Sequence, residues 1–169
     1  MSAASSFLPE GYEVPKSGGR YTKLKAGESV KLRILSSPIL GYEKWTNDKQ
    51  PIRWRMNEQE PHRNDWKQGE KAKHFWAMVV WNRNAQQIEI WQVSQISIQE
   101  GIQNLIKNED WGNPKEYDIT VTRTDKDGRT SYSLVPSNLR PVENGVIDNL
   151  HEMTIDLQKL FTGDDPFAA

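Results

Sequence analysis

The chain has 169 residues, with 22 Lys and Arg against 23 Asp and Glu, seven tryptophans and no cysteine. That length suits one domain with short extensions, and the absence of cysteine excludes disulfides and thiolate metal sites. The N-terminus has no basic stretch leading into an apolar run, and no window approaches the roughly 20 apolar residues that span a bilayer; the expectation is a cytoplasmic protein, neither exported nor membrane-spanning.

The near-zero net charge hides a segregation. From Glu143 onward six acids (Glu143, Asp148, Glu152, Asp156, Asp164, Asp165) accompany a single base, Lys159, which leaves residues 1–142 with a net charge of +4. A mildly basic body with an acidic end is an arrangement with functional meaning. The tryptophans are segregated too. Five of them (Trp45, Trp54, Trp66, Trp76, Trp81) fall between Tyr42 and Arg83, in a window that also holds nine Lys or Arg and six Asp or Glu. A purely structural core seldom needs so many indoles, because each buried N–H wants a partner.

In chain order, residues 1–19 are rich in Ser, Ala, Pro and Gly and predict a flexible N-terminal arm. The fold is expected to begin at Arg20. Val30, Leu32 and Ile34 alternate with Lys31 and Arg33, the period of a half-buried strand. Leu40 to Thr46 continues as an extended piece, and Ile52 to Met56 alternates again, with Arg53 and Arg55 opposite Trp54 and Met56. Residues 57–72 are polar and aperiodic, a long loop of a length that is usually functional or disordered. From His74 to Trp81 almost every position is apolar, which predicts a central strand covered on both sides, with Phe75 and Trp81 in the core. Gln87 to Ser94 returns as its hairpin partner.

Ile98, Ile102, Leu105 and Ile106 then recur at helical spacing, with Ser97 and Glu100 placed as a capping box. Tyr117, Ile119 and Val121 form another strand, and Asp125 to Gly128 turns into Ser131 to Val135. The order of three strands, one helix and two strands predicts a mainly β OB-fold, a five-stranded Greek-key barrel with a helix between the third and fourth strands. Val146, Leu150, Met153, Leu157 and Leu160 form a stripe that predicts a C-terminal helix ahead of an acidic tail. The expected division is an arm (1–19), a binding domain (20–141) and a C-terminal helix with tail (142–169).

Binding single strands without sequence preference takes a positive groove and exposed aromatic faces on which bases stack. The aromatic candidates are Tyr42, Trp45, Trp54, Trp66 and Trp76. The phosphate candidates are Lys31, Arg33, Arg53, Arg55, Lys71 and Lys73, with Arg123, Lys126 and Arg129 at the tip between the last two strands. At the chain end, Asp164, Asp165 and Phe167 combine acids with an aromatic, a composition suited to docking in a basic partner pocket and to competing with DNA for the groove. No catalytic residue, metal or cofactor is expected.

Stretches from this chain resemble the OB-fold single-stranded DNA-binding proteins of tailed bacteriophages: Arg20-Tyr21-Thr22-Lys23-Leu24, Lys31 to Ser36, Pro38 to Tyr42, Phe75-Trp76-Ala77, Val80-Trp81-Asn82, Ile88-Glu89-Ile90 leading into Ile98-Gln99-Glu100, and Tyr117 to Arg123. The ordered set covers residues 20–141. The resemblance implies binding of single-stranded DNA in an infected bacterial cell during replication or recombination, with the acidic tail contacting partner enzymes. Some members of that family carry a His/Cys zinc site, which this cysteine-free chain cannot build.

Three other functions compete. An RNA-binding domain would show the same aromatic and basic pattern, and a protein adaptor is a further alternative. A metal-dependent nuclease would have to assemble His62, Asp65, Glu70 and His74, which lie in or beside one loop with no recognised ligand spacing. No phosphate-cradling glycine loop or nucleophile elbow is present.

Overall fold

The computed structural model describes residues 20–168 together with Phe7; the expected N-terminal arm otherwise lies outside the described residues. Seven strands form: β1 (Ser29–Ile34), β2 (Ile39–Trp45), β3 (Pro51–Arg55), β4 (Lys73–Asn82), β5 (Gln87–Val93), β6 (Asp118–Lys126) and β7 (Arg129–Pro136). The helix α1 (Ile96–Lys107) separates β5 from β6, and α2 (Asn144–Glu152) follows β7. Single 3-10 turns occur at Pro114–Glu116 and Leu157–Phe161.

All the strand pairings are antiparallel, in the order β3-β2-β4-β1-β6-β7, with β5 added to the other edge of β4. The expected five-stranded OB-fold barrel is therefore not what the chain builds. Closing it would require β5 to pair with β7, and no such pairing exists among the described strands. The free edge of β5 is taken by residues 20–22 instead: the Thr22 N–H donates to the Ile90 carbonyl (2.9 Å), and the Ile90 N–H donates to that of Arg20 (2.8 Å). Helix α1 packs against β7, so closely that a Cβ on Gly101 would sit 2.3 Å from Leu134 Cδ1. The result is an open sheet.

Period-two alternation places side chains on two faces. One face, called inner here, carries α1: Val30, Leu32, Ile34, Met78, Val80, Val93, Ile119 and Val121 pack there with Ile98 and Ile102 of the helix. The outer face of β4 and β5 (Phe75, Ala77, Val79, Trp81, Ile88, Ile90) is covered by the chain's own C-terminal segment through Val146, Leu150, Leu157, Leu160 and Phe161. Burial of Phe75 and Trp81 agrees with the alternation.

Three local details depart from the sequence reading. Helix α1 starts at Ile96 with Gln95 as N-cap, so Ser97 lies inside the helix and the capping box with Glu100 does not form. The apolar stripe beyond Val146 is not one helix. Helix α2 stops at Glu152, and the chain runs extended through Met153 before Asp156 caps the Leu157–Phe161 turn by accepting from the Gln158 N–H. That break lets Leu157 and Leu160 follow the curved sheet instead of leaving along a straight helix axis. The Asp127-Gly128 turn has both residues at positive φ (52° and 75°), the mirror-image geometry that a two-residue hairpin favours.

A buried charge cluster ties the outer face of β1 to β6 and to the approach to α2. Asp118 accepts from Arg33 (2.8 Å), Arg83 (3.1 Å) and Arg140 (3.0 Å), and both Asp118 and Arg33 are fully buried. Arg83 also pairs with Glu143. Burial by itself raises the pKa of Asp118, yet the guanidiniums of Arg83 and Arg33 outweigh it and hold the carboxyl below its ordinary value.

Candidate functional site

The inner face runs past the helix-covered core onto the β2-β3-β4 end of the sheet. Register places Tyr42 opposite both Trp54 and His74, and Leu40 opposite Trp76. Even-numbered residues of the three strands therefore share one surface: Leu40, Tyr42 and Lys44 from β2, Ile52 and Trp54 from β3, His74 and Trp76 from β4.

The long loop before β4 adds Trp66 to this surface. Thr46 and Trp66 form a β-bridge, the Asn47 N–H donates to the Asp65 carbonyl (2.8 Å) and the Lys67 N–H to that of Trp45 (3.0 Å). Residues 65–67 thus extend β4's line alongside β2. The loop is built onto the sheet by these bonds.

The aromatic rings form a continuous row. Ring centroids are 6.3 Å apart between Trp66 and Trp54, 6.1 Å between Trp54 and Tyr42, and 5.4 Å between Tyr42 and His74. His74 then meets the Trp76 indole N–H at 3.1 Å. The other nitrogen of His74, Nδ1, lies 2.8 Å from the Gly41 carbonyl, which can only accept. Nδ1 therefore carries the proton, and the neutral ring accepts from Trp76 at Nε2. Trp54 is buried under its neighbours, whereas Tyr42, Trp66, His74 and Trp76 are half-buried and Leu40 and Met56 stand exposed.

Two cations border Trp66: Lys44 Nζ lies 4.9 Å from its ring centroid and the Arg63 guanidinium 5.9 Å, both within cation–π range. Each also has an acid, Lys44 with Glu60 (3.3 Å) and Arg63 with Asp65 (2.8 and 2.7 Å). The Arg63 hydrogen bonds hold the Asp65 carboxyl below its ordinary pKa. A phosphate arriving here would compete with these carboxylates.

The residues expected to bind DNA are divided by the fold. Tyr42, Trp66 and Trp76 come together in the row with half-buried faces, whereas Trp54 is a correction: it lies in the row but is buried under its neighbours and offers no open face to a base. Trp45 lies one residue out of phase, on the outer face, and is 36% exposed. Arg33 is a correction: it is fully buried against Asp118 and cannot reach a phosphate without breaking the charge cluster. Arg53 turns outward to Glu43 (3.2 Å) and Gln92, over the Phe75 ring. Arg55 lies over Phe161 of the C-terminal segment and bonds Glu58 and Gln158. Lys31 and Lys73 are also on the outer face, while Lys71 is an exposed loop residue. Arg123 is held by Asp125 (2.9 Å) and the Leu24 carbonyl, and the exposed Lys126 and Arg129 form a hairpin tip at the opposite end of the strand order from β3.

Strand parity explains this outcome. Arg53, Trp54 and Arg55 are consecutive, so cations and indole must point to opposite faces. The same parity could have identified Lys44 and His74 as members of the aromatic surface. Arg63 has no comparable signal, because it comes from an aperiodic loop.

At the chain end, Asp164 and Asp165 are exposed, but Phe167 is already engaged within the chain. It meets Tyr21 edge to face at 5.9 Å, and the Arg20 guanidinium lies 5.9 Å from its ring centroid. A partner using Phe167 would first have to displace it from Tyr21.

His62, Asp65, Glu70 and His74 do not converge, and no group of three or more His, Cys, Asp or Glu that could hold a metal occurs among the described residues. No described helix is long and apolar enough to cross a membrane.

Compared with protein-family models, with curated proteins and with solved structures, the chain matches none. The resemblance to the phage OB-fold family is thereby overturned: the short stretches that carried it are mostly strand sequences, with Ile98-Gln99-Glu100 in α1, that this open antiparallel sheet also uses.

Proposed function

We propose that the chain binds single-stranded nucleic acid, DNA in the first instance and without sequence preference, across the inner face of β2, β3 and β4. The observation that supports this reading is the alignment of the half-buried Trp66, Tyr42, His74 and Trp76 on one face, over the buried Trp54, with Lys44 and Arg63 beside Trp66. Stacked bases need π-faces at successive positions, and every base has such a face, so a row of aromatics binds a strand whatever its sequence. Phosphates running beside the bases meet Lys44 and Arg63, and the exposed Lys67 follows Trp66 in the chain.

The test is a titration of the full chain with oligo-dT, following tryptophan fluorescence at two salt concentrations. Binding quenches the emission and weakens as salt rises, because cations condensed on the strand are released on binding. Absence of quenching at low salt overturns the reading. An oligo-U competitor of equal length identifies the preferred sugar: if it displaces oligo-dT at lower concentration, RNA is the ligand.

A further inference from the structure

Where the aromatic row ends at Trp76, the inner face opens into a groove of about 350 Å³ between the β1–β2 bend and α1. That volume lies at the small end of ligand pockets, roughly 300–1,000 Å³. Its floor is the core itself, Ile34, Met78 and Ile102, all buried, and it is also lined by Trp76, its β2 neighbour Leu40 and the exposed Ile106 of α1. At the α1 end three polar side chains stand on its rim: Gln103, Asn113 and Lys115.

These three are not consumed by the fold. The Gln103 amide and the Lys115 ammonium have no hydrogen-bond or ion-pair partner among the described residues, and Asn113 uses only Oδ1, which accepts from the Lys115 N–H (3.0 Å), leaving its NH₂ free. The Ser36 hydroxyl on the opposite rim is occupied, accepting from the Val79 N–H and donating to the Ser37 carbonyl. The groove is thus an apolar slot with hydrogen-bonding capacity at one end, mostly as donors.

We infer that this groove receives one nucleobase of the bound strand, and that it favours a base presenting carbonyl oxygens, such as thymine, over adenine. The inference rests on the proposed function and deepens it. Three features select this occupant. The slot continues the aromatic row, because Trp76 belongs to both; its apolar lining suits the ring of a base; and the Asn113 NH₂ with the Gln103 amide match a ring edge of carbonyl acceptors. Lys115, at the rim, is placed to meet the adjoining phosphate. The row has no hydrogen-bond readout of its own, so hydrogen-bonded discrimination between bases arises in the groove.

Two substitutions on the exposed side of α1 test this in the full chain, with anisotropy of labelled dT15 and dA15 as the readout. Ile106→Trp fills the slot from the α1 side and leaves Trp66, Tyr42 and His74 of the row unaltered; Ile106 is 48% exposed, so the helix tolerates the change. The expected result is dT15 binding weakened about tenfold, the loss of one stacked base, with an unchanged thermal midpoint. Binding equal to or tighter than that of the unsubstituted chain overturns the groove as a base site. Gln103→Leu should lower the dT15 to dA15 affinity ratio about fivefold, one neutral hydrogen bond; an unchanged ratio overturns the stated selectivity. Comparing ratios between proteins removes the general advantage of the unstacked oligo-dT strand. If the unsubstituted chain binds neither oligonucleotide, the proposed function itself fails; if it binds and Ile106→Trp binds equally, only the groove fails.

Discussion

Strand β4 carries two aromatic surfaces one residue out of phase, and their fates differ. Its odd-numbered side chains, Phe75, Ala77, Val79 and Trp81, are sealed beneath the chain's own C-terminal segment. Its first even-numbered ones, His74 and Trp76, share a surface with Tyr42 and Trp66 that is only half-buried, beside the exposed Leu40 and Met56. A strand that is apolar on both sides needs two covers. This chain supplies the outer one from residues 142–168 and the inner one only as far as α1 reaches. The surface left open is the one on which the proposed strand would lie.

If the two faces divide these roles, damage to the outer face should cost stability and damage to the inner end should cost binding. The largest effect is expected at the charge cluster beneath the outer cover. Asp118→Asn leaves Arg33 buried without its counter-charge and should destabilise the chain by about 3–5 kcal/mol, measured by urea unfolding. The same cluster sets a pH dependence. Asp118 and Glu143 are held below their ordinary pKa values in the folded state, so the unfolded chain takes up protons first as pH falls. Their stabilisation is complete above the ordinary carboxyl range of about 4 and is lost as pH drops through the lower folded-state values. Asp118→Asn should flatten that acid limb; an unaltered slope would show that other carboxyls set it.

Next comes the cover itself. Leu160 is buried against Phe75, Ala77 and Ile90, and Leu160→Ala should cost about 2–4 kcal/mol while leaving oligonucleotide affinity unchanged. A drop in affinity would show that the two faces act together in binding. The smallest effect on stability belongs to the open end. Trp66→Ala should cost about 1–2 kcal/mol of unfolding free energy, yet weaken oligo-dT binding by about 1–3 kcal/mol, the contribution of one stacked base. A variant that loses stability but keeps its affinity would turn Trp66 into a structural residue.

Much of the local structure is legible in the sequence because strands and helices impose periods of their own. The alternation of Val30, Leu32 and Ile34, the apolar run from His74 to Trp81, the spacing of Ile98, Ile102 and Leu105, and the Asp127-Gly128 turn all mark elements that form where expected. The candidate site is legible only in part. Its aromatics stand out by composition, but Arg33 and Arg53 looked equally suitable as phosphate contacts, since a basic residue on a strand reads alike whether it meets solvent or a buried acid. Arg33 faces Asp118 across 85 residues of chain, and only pairing of β1 with β6 brings them together.

By itself, then, the sequence determined which segments are strands, where the main helix lies, and that aromatics concentrate between Tyr42 and Arg83, because these depend on side-chain order along a few neighbouring residues. The tertiary structure decided that the sheet stays open, that residues 20–22 take the edge of β5, that the acidic end folds back as a cover, and which aromatics are left exposed. Those outcomes depend on competition between distant segments for the same edges and faces, and no local period records who wins.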